Sequence, residues 1–414
     1  MEKRKAILDE VVTYYQKSPD FNGLPIYNMK NYDYAVLSKL IDEGLIMVLS
    51  SNEVANPHIK IMNLNISTEI QKRNISSSSS YSVLYPTAKA LEETDVNMEK
   101  PYTAMLEKGH AQLEIIFFNI EILERYANNP QFSIVDYGYR GSIRLKDEQN
   151  GDDSLEYEYI KDYGMAYSDR PELVRAIGVF IRDLSKLSSK KQMLWKAFEI
   201  SAKAKCKIHA NFYKNLILGE WVSDYWIFHA LLDEMKVINK QCEEMGIPKL
   251  FIKTFDPDPL NTPDGYRNIF LPTLKNYYDF VIVLEKMIVH NISYKTFQID
   301  SFRIKAVERK DESGKDKGSL QMFEEWLRKN IRTKEDLREL IIVPLKDIRS
   351  TRQKPAHEFS KNDYDISLHQ KQLDLMHNTY AAIRAIRIFF SNHPYARDVE
   401  VSEVLRTGNG IVDY

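Results

Sequence analysis

The stretch FDPDPLNTPDG, residues 255–265, constrains the fold of this chain more than any other segment. It holds three prolines, three aspartates and a glycine in eleven residues. Proline removes a backbone donor and pushes the residue before it into an extended conformation, so neither a helix nor a strand can run through such a segment. The sequence therefore predicts a domain boundary here.

The length and composition describe an ordinary globular protein with more than one domain. A chain of 414 residues is long for one core, and 28% charged with 43% hydrophobic residues is typical of soluble proteins. The formal net charge is only -2, so any nucleic-acid surface must be a local patch. The two cysteines, Cys206 and Cys242, cannot build a disulfide framework.

Targeting signals are not apparent in the sequence. The first residues, MEKRKAILDE, lack the apolar core of a signal peptide, and the apolar runs are too short or too interrupted by charge to span a bilayer. We therefore expect a cytoplasmic protein without a membrane partner. Cys206 and His209 have C-x2-H spacing but no second pair, so no metal site is predicted.

The first hundred residues alternate between helical and strand-like patterns. Helices are predicted at 3–17 and 32–43, and strands at 45–51, 58–66 and from Tyr81 onward. Helices followed by a strand ribbon resemble a winged-helix domain, so residues 1–100 are predicted to form a winged-helix-like module. Such modules bind nucleic acids or partners, but they also serve as plain packing units, and both alternatives stay open.

The predicted central module, residues 101–254, combines a small antiparallel sheet with helices. A long helical pattern at 103–128 precedes period-two strands that start at Phe132, and further helical patterns follow at 171–184, 190–202, 211–219 and 222–244. Tyrosines and arginines share these strands, and they could stack on bases or be ordinary half-exposed strand residues. We favour the second interpretation. The set comprises Tyr137, Tyr139, Arg140 and Arg144.

Helical patterns fill most of the remaining chain. They cover 266–290, 320–330, a segment that opens at Thr333 and is divided by Pro344, and 365–390. We predict a helical bundle at 266–394 and a C-terminal tail at 395–414. The expected fold class is α+β, predominantly α.

The bundle contains the motif that carries the functional prediction, KDIRSTRQKPAH at residues 346–357. Arg352 lies five residues before His357, in a cluster that is positively charged despite one aspartate. Arginine binds phosphate through its planar fork, and histidine moves protons near neutral pH. The R-x4-6-H spacing between helical runs resembles the HEPN superfamily, whose helical bundles include metal-independent ribonucleases. A second match, Arg387 to His393, closes a helix beside Pro394, so the first match is favoured.

The resemblance implies a role for each residue of the motif. His357 would act as general acid or base, and Arg352 would hold the non-bridging phosphate oxygens, so these two residues are the predicted catalytic pair. Arg349, Lys346 and Lys354 would bind the RNA backbone. Such a reaction leaves a 2',3'-cyclic phosphate and requires no metal and no cofactor. HEPN nucleases are typically dimers with facing motifs, which implies a homodimer.

Two details bear on activity. In one continuous helix, residues five apart point about 140 degrees away from each other, so Arg352 and His357 need a helix break or a partner chain to converge. Pro355 is predicted to provide the break. Gln353 stands where the family often has asparagine, aspartate or histidine, which leaves open whether the chain cuts RNA or only binds nucleotides or partners.

The sequence thus leads to two functional hypotheses. The first is an RNA-cleaving effector, a toxin or anti-phage defence protein that acts on tRNA or mRNA. Its N-terminal and central modules would restrain the nuclease until a phage or regulatory trigger arrives. The second is a non-catalytic regulator that binds nucleic acid or protein through residues 1–100 and dimerises through the bundle.

Overall fold

The computed structural model of the chain is a mixed α and β structure, 47% helical and 14% strand. It describes residues 2–50, 56–60, 66–92, 94–146, 157–168, 175–257, 261–330, 338–357 and 361–413, and for 354–357 it describes the backbone. The coarse fold class, helices with a small antiparallel sheet, is confirmed. No described helix is both long and apolar enough to cross a bilayer.

Helices and strands alternate in the first half of the chain, and long helices dominate the second half. The helices are α1 (Glu2–Lys17), α2 (Tyr34–Asp42), α3 (Thr68–Asn74), α4 (Ala88–Leu91), α5 (Pro101–Glu107), α6 (Glu124–Ala127), α7 (Ile181–Ser185), α8 (Ser189–Ala197), α9 (Ala210–Tyr213), α10 (Ile227–Glu244), α11 (Leu274–Met287), α12 (Ser319–Asn330), α13 (Val343–His357), α14 (Ser367–Ser391) and α15 (Glu403–Thr407). The strands are β1 (Leu24–Pro25), β2 (Ile46–Leu49), β3 (Val83–Pro86), β4 (Ile115–Asn119), β5 (Phe132–Asp136), β6 (Arg140–Leu145), β7 (Asp162–Tyr167), β8 (Ala176–Phe180), β9 (Lys207–Ile208), β10 (Tyr225–Trp226) and β11 (Ile411–Val412).

The chain folds into two compact units. The first comprises Met1–Ile122 and Gln149–His209, and the second comprises Leu123–Glu148 and Ala210–Tyr414. The proline-rich stretch 255–265 lies within the second unit, where α10 packs along α14. A compact unit can contain more than one domain, so the modules 1–100, 101–254, 266–394 and 395–414 stay predictions.

The N-terminal part of the first unit contains a three-stranded antiparallel sheet in the order β1-β3-β2. Helix α1 presents an apolar face to it, and α2 begins at Asp33, whose side chain accepts a hydrogen bond from the Val36 backbone N–H. The predicted strand at 58–66 is absent at residues 58–60, which form a turn and bend, and 61–65 lie outside the described residues. Helix α3 follows β2 instead, so the winged-helix assignment remains a proposal.

A second antiparallel sheet in this unit joins β4, β8, β7 and β9. It overturns two helix predictions, because 103–128 contains β4 and 171–184 contains β8. Residues 115–118 and 176–180 are runs without polar residues, and such a run shows no period that would distinguish a strand from a buried helix. Gly178 is required for close packing here, since a Cβ atom would lie 2.6 Å from Ile208 Cδ1.

The second unit contains the β5–β6 hairpin and the long helices, and the buried apolar residues of the helices form one core. The strands predicted from Phe132 and the helices predicted at 320–330 and 365–390 are confirmed by β5, β6, α12 and α14. The C-terminal residues are also folded, because β11 pairs in parallel with β10 and Leu405 of α15 is buried.

Helix α13 carries the candidate motif and is continuous. A π-helical turn, Arg338–Ile342, runs directly into it, and Pro344 occupies its first turn, where a missing N–H costs no helical hydrogen bond. The helical path changes from π-helical to α-helical next to Pro344, and the predicted division of the helix there stays a prediction. The predicted break at Pro355 is wrong, since α13 continues to His357. Leu345 and Ile348 are fully buried and α13 packs on α11 and α14, which stabilises the helix against the cost of an internal proline.

Candidate functional site

The basic motif borders an open cleft between α12 and α13. Lys346, Arg349, Ser350 and Gln353 are spaced three, four and seven residues along α13 and therefore share one face. Leu320, Gln321 and Glu324 of α12 form the opposite wall, and the cleft holds about 580 Å³ of space that is open to solvent.

Glu324 is the centre of charge in this cleft. Its carboxylate, only 14% exposed, accepts hydrogen bonds from Lys346 Nζ at 2.6 Å, Arg328 Nη2 at 2.8 Å and Arg338 Nε at 3.0 Å. Burial alone would raise the pKa of Glu324, but the Lys346 hydrogen bond and the three positive charges outweigh it and lower that pKa. One carboxylate therefore fixes three cations from α12, the π-turn and α13.

Two cations of the motif remain outside this network. Arg349 is exposed and Arg352 half-buried, and neither has an ion-pair partner among the described residues. Asp347, the acid next to them in sequence, pairs with neither arginine, and Glu358 lies outside the described residues. Guanidinium groups without acidic partners on an open helix face suit the binding of phosphate oxygens.

The predicted catalytic pair lies on one uninterrupted helix. Arg352 and His357 both belong to the continuous α13, so their positions lie about 140 degrees apart around the helix axis. The side chains of Lys354 and His357 lie outside the described residues. Lys346 and Arg349 do lie together on the cleft wall.

Sequence reasoning missed Glu324, Arg328 and Arg338. The spacing of Glu324 and Arg328 by four residues on a helix was visible, but such pairs are common on solvated helix faces. Arg338 comes from another element, and nothing in the sequence predicts that it folds back onto Glu324.

The second motif match has structural roles. Arg387 is buried and donates to Glu234 Oε2 at 2.5 Å and to the Leu405 carbonyl at 2.8 Å. His393 Nε2 lies 2.7 Å from the Phe302 carbonyl oxygen. Neither residue faces the cleft of α13, which agrees with the preference for the first match.

The tyrosines and arginines of the β5–β6 hairpin contact one another. Arg144 Nη2 donates to Tyr137 Oη at 3.1 Å, and the Arg140 guanidinium lies 5.4 Å from the centre of the Tyr137 ring. The Tyr137 ring also meets His229 at 6.0 Å in an edge-on arrangement. These contacts favour the interpretation as ordinary strand side chains.

Among the described residues, no group of three or more His, Cys, Asp or Glu side chains is placed to hold a metal ion. Comparisons with protein-family models, with curated proteins and with solved structures found no match.

Proposed function

We propose that this protein is a metal-independent endoribonuclease of the HEPN type that holds its RNA on the basic face of α13. The observation that carries the proposal is that Arg349, on the wall of the open cleft, and Arg352, three residues further along α13, have no ion-pair partner among the described residues. Lys346 and Lys354 add positive charge on the same helix. A single-stranded RNA backbone fits such a surface through its phosphates.

The proposed reaction uses the RNA's own 2'-hydroxyl. A base removes the 2'-hydroxyl proton, the new O2'–P bond forms, the P–O5' bond breaks, and an acid protonates the leaving oxygen. His357 supplies the proton transfers, and Arg352 stabilises the charge on the non-bridging oxygens in the transition state. The products are a 2',3'-cyclic phosphate and a 5'-hydroxyl.

The continuous helix determines how many chains the proposed site needs. Because α13 continues through Pro355, the backbone positions of Arg352 and His357 in one chain lie about 140 degrees apart around the helix axis. In our proposal a second copy of the chain supplies the missing group, so Arg352 of one protomer acts with His357 of the partner subunit. The active form is then a homodimer with two composite sites.

The biological setting follows as part of the same proposal. An RNA-cleaving bundle must be restrained in the cell that makes it, and the first unit together with the β5–β6 hairpin is large enough to serve as a sensing or restraining part. We propose a cytoplasmic toxin or anti-phage effector that cleaves tRNA or mRNA after a phage or regulatory trigger.

One observation favours a second function. Glu324 already holds Lys346, and Gln353 on the cleft wall offers no proton-transfer group. A surface of this kind can bind nucleic acid without cutting it. The alternative is a non-catalytic regulator. Its N-terminal winged-helix-like module would bind the nucleic acid or protein, and its helical bundle would form the dimer.

The test is cleavage in the presence of EDTA. Purified full-length protein is incubated with total tRNA and with a mixed RNA ladder, beside Arg352→Ala and His357→Ala. Arg406→Ala and His377→Ala are matched controls, since both side chains are at least half exposed and lie outside α13. We expect fragments with 2',3'-cyclic ends from the wild type and both controls, and none from the two motif variants.

The opposite results separate the two functions. Cleavage that survives in both motif variants would remove the assigned site. RNA binding without cleavage by the wild type would support a non-catalytic role; binding that persists in Arg349→Ala would favour the N-terminal module as its site, and binding that Arg349→Ala weakens would favour α13.

A further inference from the structure

Three lysines of the first unit form a basic strip that plays no part in the proposed ribonuclease site. Lys203, Lys205 and Lys207 are all exposed, whereas the residues between them turn inward, since Ala204 is 2% exposed and Cys206 is half-buried. This alternation leaves the three ammonium groups on the solvent side of one short segment. We call these three lysines the basic strip.

The charge of the basic strip is not compensated by the fold. None of its lysines has an ion-pair partner among the described residues. The nearest acid along the chain, Glu199, is already engaged, because its carboxylate lies 2.8 Å from Lys196 Nζ and accepts the Tyr102 hydroxyl at 3.0 Å. Like charges this close in sequence repel one another, so the strip attracts a polyanion, which binds with release of counterions.

Lys205 adopts a backbone conformation that favours glycine. Its φ is +50° and its ψ +41°, in the left-handed region, where the short 3-10 helix Ala202–Ala204 ends. Hydrogen bonds fix this turn: the Lys205 N–H donates to the Ala202 carbonyl at 3.2 Å, and the Ser168 hydroxyl donates to the Ala204 carbonyl at 2.9 Å. The lysine is therefore held at a position that glycine would occupy at lower cost, and strained residues of this kind cluster at binding sites.

An aromatic side chain lies directly opposite one end of the strip. In the antiparallel pair of β7 and β9, Tyr167 faces Lys207, so both side chains project from the same side of the sheet. Tyr167 is half-buried, and its ring meets the ring of His209 edge-on at 5.8 Å. Surfaces that bind single strands combine these two features, because the lysines pair with phosphates while bases stack on the rings.

We infer that the basic strip and Tyr167 together bind a single-stranded nucleic acid. Lysines alone would also attract an anionic membrane, but a ring beside them favours a ligand with bases that can stack. The inference does not depend on ribonuclease activity, because the strip shares no residue with α13 or with its cleft.

The experiment measures binding to the full-length protein by fluorescence anisotropy at several salt concentrations. The probes are a short labelled 2'-O-methyl RNA, in which the hydroxyl that the proposed cleavage uses is blocked, and a DNA single strand of the same base order. One variant combines Lys203→Gln, Lys205→Gln and Lys207→Gln. We expect its affinity at low salt to fall at least about tenfold. The slope of log K against log salt should become shallower by about 2, since each lost phosphate contact contributes about 0.7.

The matched control removes the same charge from other elements of the first unit. Lys17, Lys186 and Lys190 are exposed and have no ion-pair partner among the described residues. Their combined replacement by glutamine should change the salt slope by less than the share of one contact, about 0.7. Thermal unfolding verifies that both triple variants are folded.

Single variants separate binding from folding. Lys205→Gly removes a charge and suits a φ of +50°, so affinity should fall about twofold or more while the unfolding temperature is retained or rises. Tyr167→Leu should weaken binding about fivefold or more, whereas Tyr167→Phe, which keeps the ring, should bind as the wild type does.

Four results would overturn the inference. The wild type does not bind the single strands, the strip variant keeps the wild-type salt slope, the control variant loses as much affinity as the strip variant, or folded Tyr167→Leu binds unchanged. Strip-dependent binding to phosphatidylserine vesicles without binding of the single strands would identify a membrane surface instead. If the strip variant loses affinity and Arg349→Ala does not, this inference stands and the proposed contact on α13 is wrong.

Discussion

At the scale of single residues, the cleft is organised by one carboxylate. Glu324 forms ion pairs with Lys346, Arg328 and Arg338. The positive charge of these three side chains is therefore already partly neutralised when a phosphate enters the cleft. Arg349 carries the charge on the cleft wall that no described acid compensates. Lys346, which pairs with Glu324, and Arg349, which is proposed to bind RNA, therefore differ in the charge they can offer to a phosphate.

Arg349→Ala should weaken RNA binding through lost phosphate contact. In a His357→Ala background, which prevents the proposed cleavage, we expect affinity for a labelled single strand to fall several-fold. The slope of log K against log salt should become shallower by about 0.7, the value for one phosphate contact with a single strand. Fluorescence anisotropy at several salt concentrations measures both. An unchanged slope would show that Arg349 does not contact the backbone.

Glu324→Gln should change binding and stability in opposite directions. The variant removes a negative charge beside the cleft, so RNA binding should tighten, while three cations lose their shared partner. Because these cations are 45% to 66% exposed, the loss in unfolding free energy near pH 7 should be only about 1 kcal/mol.

The pH dependence of that stability difference has a definite sign. The folded-state pKa of Glu324 is lowered, so its ion pairs stabilise the protein above the unfolded-state pKa of about 4.3, and this contribution is lost as the pH falls through the lowered pKa. The unfolding free energies of the wild type and the variant, measured with urea, should therefore differ at pH 7 and become equal at acidic pH. A difference that persists under acid would contradict the assigned ion pairs.

At the scale of secondary structure, α13 combines a proline with helical continuity. The helix passes through Pro355 even though proline removes one hydrogen bond and crowds the preceding turn. Packing of its buried residues on α11 and α14 keeps the helix intact.

Pro355→Ala tests whether cleavage requires a bend. If the continuous helix is the active form, alanine should leave RNA cleavage unchanged and stabilise the protein by up to about 3 kcal/mol. Cleavage rate and thermal unfolding are the measurements. A stable variant that has lost cleavage would mean that the helix must break at Pro355 and would revive the prediction made from the sequence.

The pairing of α10 with α14 depends on a buried ion pair. Glu234 is 0% and Arg387 5% exposed at the side chain. Arg387→Ala leaves the carboxylate without its partner and should reduce the unfolding free energy by about 3–5 kcal/mol, whereas Glu234→Leu with Arg387→Met should recover most of that loss. Urea unfolding measures both. A single-variant cost below about 1 kcal/mol would contradict this role.

Elements with a periodic pattern of apolar residues were predicted correctly from the sequence. Elements that consist of an uninterrupted apolar run were not. Helices α12 and α14 and the β5–β6 hairpin show clear periods, and all are confirmed. The apolar runs of β4 and β8 have no period, so strands were predicted as helices. For the cleft, the sequence indicated Lys346 and Arg349, but it did not indicate Glu324 and Arg338, because their association requires the tertiary structure.

At the scale of the whole molecule, the proposed site requires two chains. In one α13 the backbone positions of Arg352 and His357 lie about 140 degrees apart around the axis, and the composite site between protomers was proposed so that both residues could act on one phosphate. The central claim is therefore an RNA-cleaving homodimer whose catalytic pair is completed across the interface.

Complementation between inactive subunits tests this claim most directly. Arg352→Ala and His357→Ala proteins, each without activity alone, are mixed, allowed to exchange subunits, and assayed on tRNA with EDTA. A mixed dimer has one site with both wild-type residues, and half of the dimers are mixed, so about a quarter of wild-type activity should return. If subunit exchange is verified and no activity returns while the wild type cleaves, the composite site is wrong.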